Sequence, residues 1–93
     1  MSDQPPIPIT FYTKPGCHLC EDVADELEAL GQRWPLHVSA IDITTELELH
    51  RRYWDKIPVV VVGERTLAAP IAPRDLQAAI AAAAEQPEYG AST

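Results

Sequence analysis

The chain has 93 residues, enough for one hydrophobic core but not for two, so we expect a single domain. Fourteen acidic and seven basic residues give a formal net charge of −7, which disfavours binding to the phosphate backbone of nucleic acids. No apolar run approaches the ~20 residues that cross a bilayer, and the N-terminus lacks the pattern of a secretory signal. We therefore expect a cytoplasmic monomer without a nucleic-acid or membrane partner.

The first half of the chain shows a strand pattern followed by a helix pattern. Residues 7–13 are rich in β-branched and aromatic side chains, which predicts a strand. The turn residues 14–16 (Lys-Pro-Gly) end it, and a helix is predicted from Cys17 until Gly31 stops it. The apolar positions that recur at helical spacing are Cys20, Val23, Ala24, Leu27 and Leu30.

The middle of the chain predicts a second strand and a second helix. Residues 36–43 contain an apolar alternation typical of a strand. Thr45 and Glu48 match a capping box, which predicts a helix from about Glu46 to Asp55. The buried side of this helix is assigned to Leu47, Tyr53 and Trp54.

The last third predicts a hairpin and a helix. Pro58 precedes the apolar strand Val59 to Val62, and Gly63-Glu64 is a plausible turn into a short strand over residues 65–68. Pro73 is suited to the first position of a final helix. The face of that helix directed at the core is formed by Leu76, Ala79, Ile80 and Ala83.

These elements follow the order β-α-β-α-β-β-α. A strand–helix–strand unit gives two parallel strands with a crossover, and the last two strands should form an antiparallel hairpin beside them. The predicted fold is therefore α/β, with a four-stranded mixed sheet flanked by three helices on both faces. Residues 1–6 and 85–93 are polar and predicted to be flexible tails, with the domain between them over residues 7–84.

The two cysteines, Cys17 and Cys20, lie where the first strand passes into the first helix. A bridge between residues so close in sequence adds little stability, so their spacing favours a chemical role. The unpaired N–H groups and the dipole at a helix start stabilise a thiolate at Cys17 and lower the pKa of such a thiol. His18 and Lys14 add positive charge nearby. Cys20, one turn later, is placed to attack a mixed disulfide formed at Cys17.

Other functions use the same cysteine spacing. A zinc site needs four ligands, and the chain has no second cysteine pair, so no metal site or bound cofactor is expected. Two chains could still share an iron–sulfur cluster with outside thiols, and a redox-inactive interaction domain is a further alternative. Pro58 is either a simple strand-start proline or part of a cis peptide bond beside the site.

Two segments together carry a family resemblance. Residues 13–20 (TKPGCHLC), followed about forty residues later by residues 57–60 (IPVV), resemble the glutaredoxins of the thioredoxin superfamily. The match is closest to small bacterial glutaredoxin-like proteins with a Cys-His-Leu-Cys centre, and it covers residues 7–84. It implies a thioredoxin-like fold and a thiol–disulfide oxidoreductase that reduces protein or glutathione mixed disulfides.

The resemblance also implies roles for single residues. Cys17 would attack the substrate disulfide and Cys20 would resolve the intermediate, while a cis Pro58 would face both cysteines. Ile57 would offer its main chain to substrate, and Lys14 would lie near a glutathione carboxylate. The remaining substrate-binding candidates are the two residues between the cysteines, His18 and Leu19.

The chain departs from the glutaredoxin pattern at two places. His18-Leu19 replaces the usual Pro-Tyr, and the usual Gly-Gly and acidic residue after the third strand are absent. Both departures remove residues that shape a glutathione groove. The reductant therefore stays open between glutathione as a co-substrate and thioredoxin or thioredoxin reductase.

Overall fold

The computed structural model describes residues 5–85, which form four strands, three α-helices and one short 3₁₀ helix. Residues 1–4 and 86–93, most of the two predicted tails, lie outside the described residues. The elements in chain order are β1 (Ile7–Thr13), α1 (His18–Leu30), β2 (Leu36–Asp42), the 3₁₀ helix (Ile43–Thr45), α2 (Leu47–Tyr53), β3 (Val59–Val62), β4 (Arg65–Ala68) and α3 (Pro73–Ala84).

The strands form one sheet in the order β2-β1-β3-β4. β1 pairs in parallel with β2, while the β1–β3 and β3–β4 pairs are antiparallel. The mixed four-stranded sheet and the hairpin predicted from sequence are thus confirmed. Gly63 has a φ of 61°, a left-handed conformation that glycine adopts at little cost in the tight turn between β3 and β4.

The hydrophobic core lies between the sheet and the pair of helices α1 and α3. Because side chains alternate along a strand, Ile7, Ile9 and Phe11 point to this face of the sheet, and all three are buried. The predicted core positions of both helices are confirmed except Ala24, which is exposed. The helical residues buried in the core are Cys20, Val23, Leu27, Leu30, Leu76, Ala79, Ile80 and Ala83.

The predicted capping box before α2 is wrong. Thr45 lies in the 3₁₀ helix, where its hydroxyl donates to the Asp42 carbonyl oxygen at 2.8 Å. The Asp42 carboxylate caps this turn, accepting the backbone N–H of Thr44 at 2.8 Å and the Thr44 hydroxyl at 2.6 Å. Glu46 is the N-terminal cap of α2 and makes no side-chain capping bond. The carboxylate accepts two donors from Thr44 at once, while the Thr45 hydroxyl is directed back to the Asp42 main chain and not to α2.

The predicted buried side of α2 is also wrong. Leu47 is 68% exposed and Trp54 is 58% exposed, and no residue of α2 is fully buried. The helix meets the sheet through the partly buried Tyr53, whose ring stacks on Tyr12 with the ring centroids 4.4 Å apart. The pKa of Tyr12 is raised above its usual value, mainly by burial of the phenol and secondly by the neighbouring Tyr53. With only seven residues, α2 is too short to bury a full apolar face.

The start of α3 agrees with its prediction, because Pro73 occupies the first helical turn. Within residues 5–85, no helix is both long and apolar enough to cross a membrane.

Shortening a buried core side chain should lower the free energy of unfolding far more than shortening an exposed side chain on α2. Ile80 is fully buried, so Ile80→Ala is expected to lower the free energy of unfolding by about 2–5 kcal/mol through lost burial and a residual cavity. Leu47→Ala, at an exposed site, should cost less than about 0.5 kcal/mol. Urea unfolding of both variants measures the difference, and equal losses would contradict the described position of α2.

The Asp42 cap should make stability depend on acid pH. Its hydrogen bonds, first from the Thr44 hydroxyl and then from the Thr44 N–H, lower the pKa of Asp42 below 3.8. A lowered carboxyl pKa stabilises the fold above the unfolded value, and this contribution is lost as pH falls through the folded value. Asp42→Ala should therefore lower the melting temperature at neutral pH, with the difference from wild type becoming smaller as acid protonates Asp42. A melting-temperature difference between wild type and Asp42→Ala that is as large well below pH 3.8 as at neutral pH would contradict this account.

Candidate functional site

The turn between β1 and α1 places Cys17 at the helix start. Gly16 has a φ of 78°, and its left-handed conformation allows the chain to change direction before the helix. Cys17 is the N-terminal cap of α1, with extended backbone angles. Its sulfur accepts the backbone N–H of Cys20 at 3.1 Å, and its carbonyl accepts the N–H of Glu21 at 3.0 Å. The sulfur therefore lies at the positive end of the helix dipole.

The two cysteines are joined by a disulfide, with their Cα atoms 5.2 Å apart. Their burial differs. Cys17 is partly buried at the edge of the core cluster, while Cys20 is only 2% exposed and belongs to that cluster. One sulfur is thus open to a reaction partner, and the other is reached through the first.

The second segment of the resemblance meets this turn across the sheet. The Ile57–Pro58 peptide bond is cis, as the resemblance implied, and Pro58 is buried. Val59 pairs with Tyr12 in antiparallel register, so the start of β3 lies beside the end of β1. This pairing brings Pro58 to the same end of the sheet as the cysteine turn.

The main chain before Pro58 is only partly free. The N–H of Ile57 donates to the carbonyl oxygen of Tyr53 at 3.1 Å, while no hydrogen bond to the Ile57 carbonyl occurs within residues 5–85. A substrate backbone could therefore donate a hydrogen bond to the carbonyl of Ile57. The N–H of Ile57 already donates to Tyr53.

The remaining predicted site residues are exposed. The His18 side chain is 96% exposed, with Nδ1 3.9 Å from Oε1 of Glu21. Lys14 is exposed and makes no ion pair in the described part of the chain, whereas Leu19 lies at the surface beside the cysteines. Leu19, which lies between the two cysteines, lines the same cavity as Pro58, whereas Lys14 and His18 are exposed to solvent.

A cavity of about 350 Å³ adjoins the cysteine turn. One wall is a stripe of α1 at helical spacing, formed by Leu19, Asp22, Val23 and Glu26. Sequence reasoning assigned no binding role to Asp22 or Glu26. Asp22 follows Leu19 by three residues and Glu26 follows Val23 by three, a spacing that could have placed both carboxylates on the helix face of Leu19.

Pro58 and the segment between β4 and α3 form the rest of the cavity wall. This segment includes a second cis bond, Ala69–Pro70, and the Ala69 N–H donates to the Lys56 carbonyl at 3.2 Å. Sequence reasoning missed this segment, because nothing local distinguishes an X-Pro pair that becomes cis. Of the residues described, no three or more His, Cys, Asp or Glu side chains are grouped to hold a metal ion.

Residues 8–83 match the family model described as glutaredoxin-like domain (DUF836). The chain belongs to this glutaredoxin-like family. The family resemblance proposed from the two sequence segments is confirmed, and the match covers all strands and helices of the domain except the first residue of β1 and the last residue of α3.

Known proteins support the same fold. The protein Ne2328 from Nitrosomonas europaea has 29% sequence identity and a TM-score of 0.67, over 84% of this chain and 96% of that one. Thioredoxin 1 from Thermosipho africanus TCF52B superposes with a TM-score of 0.67 over 82% of this chain and 92% of that one. At 11% identity it shows the thioredoxin fold alone.

A curated relative matches over a shorter stretch. The Gene 56 protein of Mycobacterium phage L5 is 42% identical over 43 residues, which is 46% of this chain. The match spans 38% of the phage protein's length, so the glutaredoxin-like chain resembles a part of that protein.

The unequal burial of the sulfurs should appear as unequal alkylation. After reduction, iodoacetamide is expected to modify Cys17 much faster than Cys20, because Cys20 is 2% exposed. The helix start should also shift half-maximal Cys17 reactivity below about pH 8.5, the value for a free cysteine. Peptide mass spectrometry across a pH series measures both effects, and Cys17→Ser reports Cys20 alone. Equal, slow modification of both thiols would contradict this arrangement.

Proposed function

We propose that this glutaredoxin-like protein is a thiol–disulfide oxidoreductase that reduces substrate disulfides through Cys17 and Cys20. One observation carries the proposal: an accessible sulfur caps the N-terminus of α1, within bonding distance of a buried second sulfur. A purely structural bridge would gain little from this placement, since it closes a very short loop.

The first step is attack by Cys17. In the reduced protein its thiolate attacks one sulfur of the substrate disulfide, forming a bond to that sulfur as the substrate S–S bond breaks. The other substrate sulfur leaves as a thiolate and takes a proton from solvent. The backbone N–H of Cys20, which donates to the Cys17 sulfur at 3.1 Å, supports the negative charge before the attack.

The second step is resolution by Cys20. Its thiol loses a proton and the resulting thiolate attacks the Cys17 sulfur, which releases the second substrate thiolate and forms the Cys17–Cys20 disulfide. In total the protein dithiol is oxidised by two electrons and the substrate disulfide becomes two thiols. A thiol reductant, glutathione or the dithiol of thioredoxin or thioredoxin reductase, returns the protein to the dithiol form.

The neighbouring residues would hold the substrate for this exchange. The carbonyl of Ile57 is placed as an acceptor for a substrate backbone N–H, and Pro58 and Leu19 offer apolar surface beside it. The exposed Lys14 would contribute positive charge near the cysteine turn, and the exposed His18 ring would offer a polar contact there. We expect the protein to act as a monomer in the cytoplasm, where the reducing environment supplies electrons in the direction of substrate reduction.

The proposal is tested by NADPH consumption with a small neutral disulfide, coupled to either glutathione and glutathione reductase or thioredoxin and thioredoxin reductase. Cys17→Ser should reduce turnover to background in both systems, because the nucleophile is lost. Cys20→Ser should retain attack by Cys17, and with a peptide disulfide it should accumulate a covalent adduct that intact mass measurement detects.

The two cysteine variants control for each other, since each removes one sulfur from the same site. Wild-type turnover with one reductase system identifies the reductant class. Absence of turnover in both systems, or full activity in Cys17→Ser, would contradict the proposed function.

A further inference from the structure

The cavity beside the cysteine turn combines apolar side chains with carboxylates. Its volume of about 350 Å³ holds several side chains of a peptide, and it reaches Leu19, which lies between the two cysteines. Leu19 is 57% exposed although it is apolar, so a bound ligand would remove it from water. With Val23, Pro58 and Leu76 it provides an apolar surface that begins at the residue between the two cysteines.

Two carboxylates stand on the α1 wall of this cavity. Asp22 and Glu26 lie one helical turn apart, an arrangement of like charges that is unfavourable in the unbound protein. Neither side chain makes a hydrogen bond or ion pair with another of the described residues, and no Lys, Arg or His lines the cavity. The cavity therefore presents uncompensated negative charge in a protein whose net charge is already −7.

The opposite wall is poor in groups that bind anions. Pro70 and Pro73 have no backbone N–H, and the N–H groups of Asp75 and Leu76 both donate to the Ala72 carbonyl, at 3.0 and 3.1 Å. Asp75 adds a further carboxylate in the first turn of α3, next to the exposed Arg74. The usual ability of a helix N-terminus to hold an anion is thus largely absent here.

From these observations we infer that the cavity binds a basic and apolar segment next to the disulfide of a protein substrate, with Asp22 and Glu26 pairing a lysine or arginine. The inference rests on the proposed function, because it names the substrate class of the same site. Glutathione fits less well, since it carries two carboxylates and one ammonium group. Charge complementarity selects the occupant, and the apolar floor accepts its neighbouring aliphatic side chains.

The test uses three synthetic peptides with one cysteine each, prepared as mixed disulfides with 2-mercaptoethanol. They are identical except that the cysteine is flanked by leucine and lysine, leucine and glutamate, or leucine and serine. Pre-reduced protein is mixed with each peptide at low salt and quenched with acid. Each turnover oxidises the Cys17–Cys20 dithiol by two electrons and releases one peptide thiol and one 2-mercaptoethanol.

The lysine peptide is expected to react about tenfold faster than the glutamate peptide, with the ratio falling as salt is added. Asp22→Asn with Glu26→Gln should bring this ratio close to one. The matched control, Asp25→Asn with Glu28→Gln, removes two exposed charges from the same helix outside this cavity and should keep most of the preference.

The outcomes separate the two levels of the proposal. If the wild-type protein leaves the serine peptide unreduced, the proposed function itself is wrong. If it reduces all three peptides at equal rates, the redox function stands and the charge-selective cavity is overturned. If both double variants lose the preference equally, the effect comes from the overall charge, and the assignment to Asp22 and Glu26 is wrong.

Discussion

The pairing of β1 with both β2 and β3 is the constraint on which the site depends. β1 is an inner strand, parallel to β2 on one side and antiparallel to β3 on the other. The parallel pair requires a crossover, so the chain must leave the end of β1 and pass through α1, which places a helix N-terminus at that end of the sheet. The antiparallel pair brings the start of β3 to the same end. Cys17 and the cis Pro58 therefore lie at the same end of the sheet because of strand direction, although about forty residues separate them in sequence.

The same helix gives the two sulfurs different surroundings. Cys17 is the cap, where extended backbone angles leave its sulfur at the free N–H groups of the first turn. Cys20 is three residues into the helix and faces the sheet, on the stripe that continues through Val23 and Leu27 into the core. The geometry that packs the helix thus also distinguishes an outer sulfur from an inner one. Changing the rotation of α1 would disturb packing and sulfur exposure together.

The fold could be predicted from sequence where a local pattern determines an element. β1, α1, the β3–β4 hairpin and α3 have strong periodicity and clear turn residues, and their predictions held. The burial of the α2 side chains could not be predicted in this way. Leu47 and Trp54 would be buried only if another part of the protein packed against them, and of the three predicted contacts only Tyr53 meets the sheet. The Thr45 capping box failed because Thr45 lies in the preceding 3₁₀ helix, where its hydroxyl donates back to the Asp42 carbonyl oxygen. For the site, the cysteine turn, Pro58 and the spacing of the carboxylates on α1 are visible in the sequence. The second cis proline and the cavity wall that faces α1 depend on which distant segments pack there.

The acidic residues of the chain contribute in two ways: most add to the net charge of the surface, and Asp22 and Glu26 give the cavity wall a negative charge of its own. A net charge spread over the surface keeps a small protein soluble and is screened by salt within about 10 Å. Charges that line a concave apolar wall act at closer range, where less water separates them from a ligand. Asp22 and Glu26 occupy such a wall, while Pro70 and Pro73 remove backbone donors from the facing segment. Since the loss of anion-binding groups and the gain of carboxylates act in the same direction, the charge of the segment beside a disulfide should distinguish substrates more strongly than the disulfide itself, which is chemically the same in all of them.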